Sequence, residues 1–477
     1  MTNSGSLALL IDFGSTFTKL RAVDLDAGRI VGSSQGPSTV TSDVTLGLKA
    51  ALDDLARKLG GLPCFRHRLA SSSAAGGLRM VTVGLVKDLT AEAARRAALG
   101  AGAKLVGTFA YRLTRSDIEA ILGLRPDILL LCGGTDGGNA EVILQNATML
   151  SASELACPIV LAGNRTAVEE AEDRFAATGK EVRVADNVMP ELNLLNIDPA
   201  RSAIRHVFME RIVHAKGIDR AAAMFDAVLM PTPAAVLEGA RLLARGTAKR
   251  PGLGDLIVVD VGGATTDVHS ICTGAPARPD ILLHGLPEPF AKRTVEGDLG
   301  MRHNAAAIAE VATLSAIAAT AGLSEPRVTA LLRALAADVE RVPATLEEAM
   351  LDQALASAAI GLAVRRHAGT VETVYTATGP RVMQRGKDLS GVTTLIGTGG
   401  PLVHAADPLP ILKAALSDPA EPQSLRPAQP RILIDRGYVL YAVGLLAERE
   451  PEVAMALATS HLHSIARSFT GGSSTAA

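Results

Sequence analysis

The sequence predicts an α/β protein built of two duplicated lobes, with a further parallel α/β domain inserted into the first. Three observations predict it. Residues 11–19, Ile-Asp-Phe-Gly-Ser-Thr-Phe-Thr-Lys, carry an apolar strand into a turn of glycine and hydroxyls. Residues 258–268, Val-Val-Asp-Val-Gly-Gly-Ala-Thr-Thr-Asp-Val, repeat that design in the second half of the chain. Between them, from 67 to 190, continuous apolar runs alternate with amphipathic ones, the pattern of parallel strands covered on both faces.

Taken in order, Leu7–Phe13 reads as a strand, followed by a meander through Lys19–Asp24 and Arg29–Gly32 with Asp26-Ala27-Gly28 as its turn. Val44–Lys58 has helical periodicity. The inserted rhythm begins with Arg79–Gly84 as a strand and Thr90–Leu99 as a helix, and closes on Glu181–Ala185 as a strand. Asp255–Asp260 and Val268–Cys272 flank the second loop as Leu7–Phe13 and Lys19–Asp24 flank the first. Asn304–Gly322 reads as a buried alanine-rich helix, opening a helical region that runs to about Ala368. Val374–Thr378 and Thr393–Ile396 read as strands. The second opens into Gly397-Thr398-Gly399-Gly400-Pro401, where no helix is expected and a backbone could lie flat against an adenine. The expected division is 1–66 for the start of lobe I, 67–190 for the inserted domain, 191–250 for the rest of lobe I, 251–430 for lobe II, 431–469 for a C-terminal connecting helix and 470–477 for a disordered tail.

The chemistry of the loops points to phosphate. Glycine lets backbone N–H groups approach phosphate oxygens, so Gly14, Gly262 and Gly263 fit a cradle, to which Ser15, Thr16, Thr265 and Thr266 add hydroxyls. Asp12, Asp260 and Asp267 supply hard oxygens for Mg²⁺, reached through its waters because magnesium dehydrates reluctantly. Lys19 adds a cation. A single such loop reads equally well as a strand ending in a capped turn; two in one chain favour a nucleotide held between two jaws.

Composition narrows the class. The chain has 477 residues, enough for two to four domains, and is 48% hydrophobic. A net charge of −2 offers no basic field, so nucleic acid is not an expected partner. Cys64, Cys132, Cys157 and Cys272 are scattered without a Cys-x-x-Cys pair, which argues against a disulfide framework, a zinc site or an iron–sulfur cluster. Neither a signal peptide nor a bilayer-spanning run is apparent, so the expected location is cytoplasmic, with no membrane partner.

Three further features carry competing readings. Cys132-Gly133-Gly134-Thr135-Asp136-Gly137-Gly138 is an anion site at a helix start or, with no Walker lysine, a permissive connection. Glu296 and Asp298 are a metal or partner site or a polar turn. Asp267-Val268-His269 begins like the Asp-x-His-x-x-Gly signature of cobalamin-binding domains, but cysteine replaces its glycine, and His269 reads as a structural residue on a strand.

The loops, with Gly397, Gly399 and Gly400 as an adenosine motif, resemble the actin, hexokinase and heat-shock chaperone ATPase superfamily, two ribonuclease-H-like lobes around a nucleotide cleft. The resemblance implies ATP or ADP with Mg²⁺, Asp12 and Asp260 as catalytic and metal-orienting carboxylates, and Asp435–Leu446 as a hinge helix. Over the full length, in Ile11–Lys19, Pro126–Asn139, Val258–Val268 and Arg293–Arg302, the chain is similar to the GlmL or glutamate mutase L family, also called MutL. That resemblance implies a chaperone-like reactivating factor whose partners are subunits of an adenosylcobalamin-dependent mutase. It leaves a homo-oligomer open. A small-molecule kinase is the alternative within the superfamily. One departure stands out: in Met230-Pro231-Thr232-Pro233-Ala234-Ala235, methionine replaces the carboxylate that the chaperones hold near the attacking water. A thioether can neither orient water nor accept its proton, so the expected ATPase is slow.

Overall fold

The computed structural model describes residues 6–14, 17–37, 44–72, 79–101, 103–215, 228–339, 341–377 and 379–465. The expected tail from 470 lies outside them. β1 (Leu7–Phe13) is buried at every position, as its unbroken apolar run requires, and pairs antiparallel with β2 (Phe17–Asp24). β2 continues into β3 (Arg29–Pro37) through a turn in which Asp24 Oδ1 accepts the N–H groups of Asp26 and Ala27 and Gly28 takes φ +62°. β4 (His67–Ser72) lies parallel to β1. It therefore belongs to lobe I, which corrects the expectation that the insertion starts at 67: a strand with four consecutive buried residues needs neighbours on both edges, and β1 supplies one.

The inserted domain is an all-parallel sheet of β5 (Arg79–Gly84), β6 (Lys104–Ala110), β7 (Ile128–Leu131), β8 (Ile159–Leu161) and β9 (Val182–Val184), in the order β6-β5-β7-β8-β9. Lobe I then closes with β10 (Val228–Pro231), parallel to β4, giving β10-β4-β1-β2-β3.

Lobe II repeats this plan. β11 (Leu256–Val261) pairs antiparallel with β12 (Thr266–Ile271); β13 (Ile281–His284) leaves the sheet, and β14 (Ala291–Glu296) returns to pair with β12. β15 (Thr370–Thr376) and β16 (Gly379–Arg385) form a hairpin that joins β13 in a separate three-stranded sheet, so the strand expected at Val374–Thr378 lies outside the lobe's own sheet. β17 (Thr394–Thr398), β18 (Arg431–Asp435) and the edge strand β19 (Leu462–Ser464) complete the order β14-β12-β11-β17-β18-β19. The first five strands of lobe II thus match β3-β2-β1-β4-β10 in pairing and direction, and the duplication is a structural fact.

After β10 and after β18 the chain enters a helix, Thr232–Arg245 and Leu440–Leu446 respectively. These two helices pack on each other between the lobes, and glycines set how closely. A Cβ on Gly444 would lie 1.7 Å from the Ala235 carbonyl oxygen, and one on Gly239 would lie 2.7 Å from that of Leu440.

Two local expectations change. Asn304–Gly322 is two helices, Ala305–Ala312 and Leu314–Ala321, broken at Thr313 with φ +71°. The Thr313 hydroxyl caps the second helix at Ala316 N, a local bond that competes with helical continuity. A short helix, Gly400–Val403, starts inside the glycine loop, with Pro401 in the first turn where a missing N–H costs nothing. Among the described residues, no helix is long and apolar enough to cross a membrane.

Candidate functional site

The two loops are built alike. Gly14 N donates to Phe17 O at 3.0 Å, and Gly262 N donates to Thr265 O at 2.9 Å, closing the same turn two residues after Asp12 and Asp260. Ser15 and Thr16 lie outside the described residues. Across the sheets, strand register sets two equivalent ranks of side chains. In lobe I, Lys19 stands opposite Asp12, Asp12 opposite Ser71, and Ser71 opposite Met230. In lobe II, Asp267 stands opposite Asp260, Asp260 opposite Thr398, and Thr398 hydrogen-bonds Asp435 at 3.3 Å. Met230 and Asp435 are therefore counterparts at the two outer positions.

Asp12 is buried, and its Oδ1 accepts the hydroxyls of Thr232 at 2.6 Å and Ser71 at 3.1 Å. Burial raises its carboxyl above the ordinary range, against the pull of Lys19 and the two hydroxyls. Asp260 is pushed up to about 7 by burial and by the neighbouring charges of Asp267, Asp435 and Asp12. Burial lowers the Lys19 ammonium although Asp12, Asp260 and Asp435 surround it, and its Nζ rests 3.8 Å from the ring centre of Tyr438. Asp435 accepts the N–H groups of Val439 and Leu440 at 2.8 and 3.1 Å, capping the second connecting helix. Asp260, Thr398, Asp435 and Tyr438 line a small pocket of about 10 Å³, room for about one water.

Asp267 is already engaged. Arg293 donates to its Oδ1 from Nε at 3.0 Å and from Nη2 at 2.6 Å, while Thr265 Oγ1 donates to Oδ2 at 3.0 Å. With Arg293 committed there, Asp12, Asp260 and Asp435 surround Lys19, with Arg21 acting on Asp12 as a lesser influence, so carboxylates outnumber cations in a way that fits a hydrated dication. Among the described residues no three acidic, histidine or cysteine side chains converge as direct metal ligands.

The remaining glycines and threonines divide their roles. Thr266 turns away from the cleft and donates to Leu299 O at 2.7 Å. The carbonyls of Gly262 and Gly263 accept the N–H groups of Met301, Arg302 and His303, so residues 299–303 buttress the second loop from behind. Gly399 takes φ +101°, and a Cβ there would meet Val261 O at 2.2 Å and Asp260 Oδ1 at 2.9 Å; only glycine lets this loop pass the second phosphate loop so closely. Gly397 packs against Leu412 in the core, whereas Gly400 faces open space.

Other candidates are held by local partners. Glu296 and Asp298 both bind Arg366, at 2.7 and 2.8 Å. In the Cys132–Gly138 loop, Asn164 bonds Gly137 N and Gly138 O while Asn187 bonds Asp136 and Gly134 O, which accounts for the turn without an anion. His269 is buried, with burial and Arg293 lowering it to about 3, and cannot reach a cobalt centre at the surface. Sequence reasoning missed Ser71, Thr232, Thr398, Asp435 and Tyr438 as site residues, and Arg293 as the partner that holds Asp267 from behind. A signal existed for Asp435, since Ile432-Leu433-Ile434-Asp435 is a third apolar strand ending on aspartate.

The duplicated sheets, the paired loops and the crossed connecting helices define a two-lobed protein of the actin-like class. The family model described as MutL protein matches residues 8–462, and the chain belongs to that family. It is 48% identical to Protein MutL of Clostridium tetanomorphum over 455 residues, 95% of this chain and 98% of that one. Among solved structures it is similar to xylulose kinase from Bifidobacterium adolescentis (12% identity, TM-score 0.31, 97% of this chain and 94% of that one). It is also similar to ROK hexokinase from Thermus thermophilus (11% identity, TM-score 0.27, 94% and 97%). At such scores the strand order, not the likeness, carries the fold assignment.

Proposed function

We propose that the protein is an ATP-dependent, chaperone-like reactivating factor for an adenosylcobalamin-dependent mutase of the glutamate or amino mutase type, working in the cytoplasm. The observation that carries the nucleotide part is the pairing of Asp12 with Asp260, each at the end of an equivalent strand and each two residues before a glycine turn, around a single lysine. In this reading Mg²⁺ supplies charge neutralisation for the phosphate chain, and Asp12 and Asp260 orient its waters from opposite lobes. Lys19 and the N–H groups of both loops hold the phosphates; Gly399 and Gly400 leave room for the adenosine. Met230 leaves Asp12 without a carboxylate neighbour at its end of the rank, which supports slow turnover and a switch rather than rapid group transfer. The client comes from the family resemblance.

The test is co-purification with a cobalamin mutase followed by reactivation. The expected result is ATP-dependent recovery of a mutase inactivated by damaged cobalamin. Rapid phosphorylation of a sugar or small acid, with no effect on any mutase, would establish a kinase instead.

A further inference from the structure

Arg293 sits on β14, beside the second phosphate loop, and is only 5% exposed. Its guanidinium touches two domains at once. While Nε and Nη2 hold Asp267, Nη1 donates at 3.2 Å to the carbonyl of Leu99, in the last turn of the helix Glu92–Gly100. That helix belongs to the inserted domain, where it packs on β5 and β6 as well as on β14 of lobe II. Carbonyls of a last helical turn lack intrahelical partners, and the negative end of the helix favours a cation, so the guanidinium serves as its cap. A second tie lies alongside: Arg96 of the same helix donates to Pro287 O at 2.5 Å and approaches Glu288 to 3.3 Å, both on the lobe II side.

Asp267 is the joint of this chain of contacts. One of its oxygens is held by Arg293 and the other by Thr265, a residue of the loop itself. Drawing Asp267 toward a charge in the cleft lengthens its bonds to the guanidinium, which is anchored through β14, and so weakens the pair with Arg293. The fork of an arginine can redistribute its bonds between two acceptors. A weaker hold on Asp267 leaves the guanidinium to settle more fully on the Leu99 carbonyl.

We infer that Arg293 is a positioning residue that makes the docking of the inserted domain on lobe II depend on what the second phosphate loop holds. The inference rests on the nucleotide reading of the cleft. Mg·nucleotide tightens the cap on the helix Glu92–Gly100, and a partner seated on the inserted domain feeds back on nucleotide affinity by the same factor, since such coupling is reciprocal.

Amide hydrogen exchange of the full chain, with and without saturating Mg·ATP or Mg·ADP, tests this, with binding followed in parallel by calorimetry. In the wild type, exchange in residues 92–101 should slow by roughly fivefold or more on binding. Arg293→Lys keeps a positive charge at Asp267 but has one nitrogen and no fork to reach Leu99; it should still bind nucleotide and lose the slowing. Arg96→Gln cuts the other tie, leaves the relay whole and should retain it. Unchanged exchange in a wild type that calorimetry shows to be saturated would overturn the inference, as would equal slowing in Arg293→Lys. No binding heat in the wild type would overturn the nucleotide reading itself, and this inference with it.

Discussion

Lys19 faces Asp12 across β1 and β2 at the register position where Asp267 faces Asp260 across β11 and β12. Two copies of one hairpin thus carry opposite charges at the same place. Lobe I contributes a cation to the cleft, and lobe II a carboxylate that Arg293 neutralises from behind. Lys19→Met should weaken nucleotide binding by about 1.5–3 kcal/mol, the range for a hydrogen bond to a charged group, or roughly tenfold to a hundredfold. Calorimetric titration with Mg·ATP reads it directly.

Asp260 sets a pH dependence. Its folded carboxyl is raised to about 7 from an ordinary value near 3.8. The folded state therefore holds a proton that the unfolded chain has already lost between about pH 4 and 7, so its contribution to stability falls as pH rises through that window. A dication needs the ionised form, so Mg-dependent affinity should rise between pH 6 and 8 with release of a proton. Buffers of different ionisation enthalpy measure that proton, and Asp260→Asn should abolish its release.

The crossing of the connecting helices sets another expectation. Gly444→Ala puts a methyl 1.7 Å from the Ala235 carbonyl, so the helices must separate. Overpacking of this kind costs about 1–3 kcal/mol. The urea midpoint should fall accordingly, and Gly239→Ala, with 2.7 Å to the nearest oxygen, should cost less.

Met230 lies abreast of Ser71 and Asp12 on three adjacent strands, with its side chain on the same face. Met230→Glu places a carboxylate where it can orient water. Basal ATP hydrolysis should rise while nucleotide affinity changes little, as phosphate-release and titration measurements would report.

What the sequence made legible was local. A strand, an aspartate and a glycine turn lie within eleven residues, so both phosphate loops and the duplication could be read directly. Asp435 ends the same kind of strand, but Arg436-Gly437 offers no hydroxyl, and the segment read as a hinge alone. Ser71 and Thr232 reach Asp12 from 59 and 220 residues away, and only strand register brings them there. β14 was hidden because it buries Arg293, a residue type that periodicity places outside; its burial makes sense only with Asp267 as partner. In the sheet of β13, β15 and β16, largely exposed on both faces, only the end of β15 was legible as a strand, because exposed strands lack the alternation by which strands are found.

The account stands on a nucleotide gripped from both lobes, and one titration tests it. Mg·ATP is titrated calorimetrically into the wild type, Asp12→Ala and Asp260→Ala, with and without Mg²⁺. The wild type should bind with an affinity that Mg²⁺ strengthens, and each substitution alone should remove that Mg²⁺ dependence. Unchanged Mg-dependent affinity in both variants would contradict it.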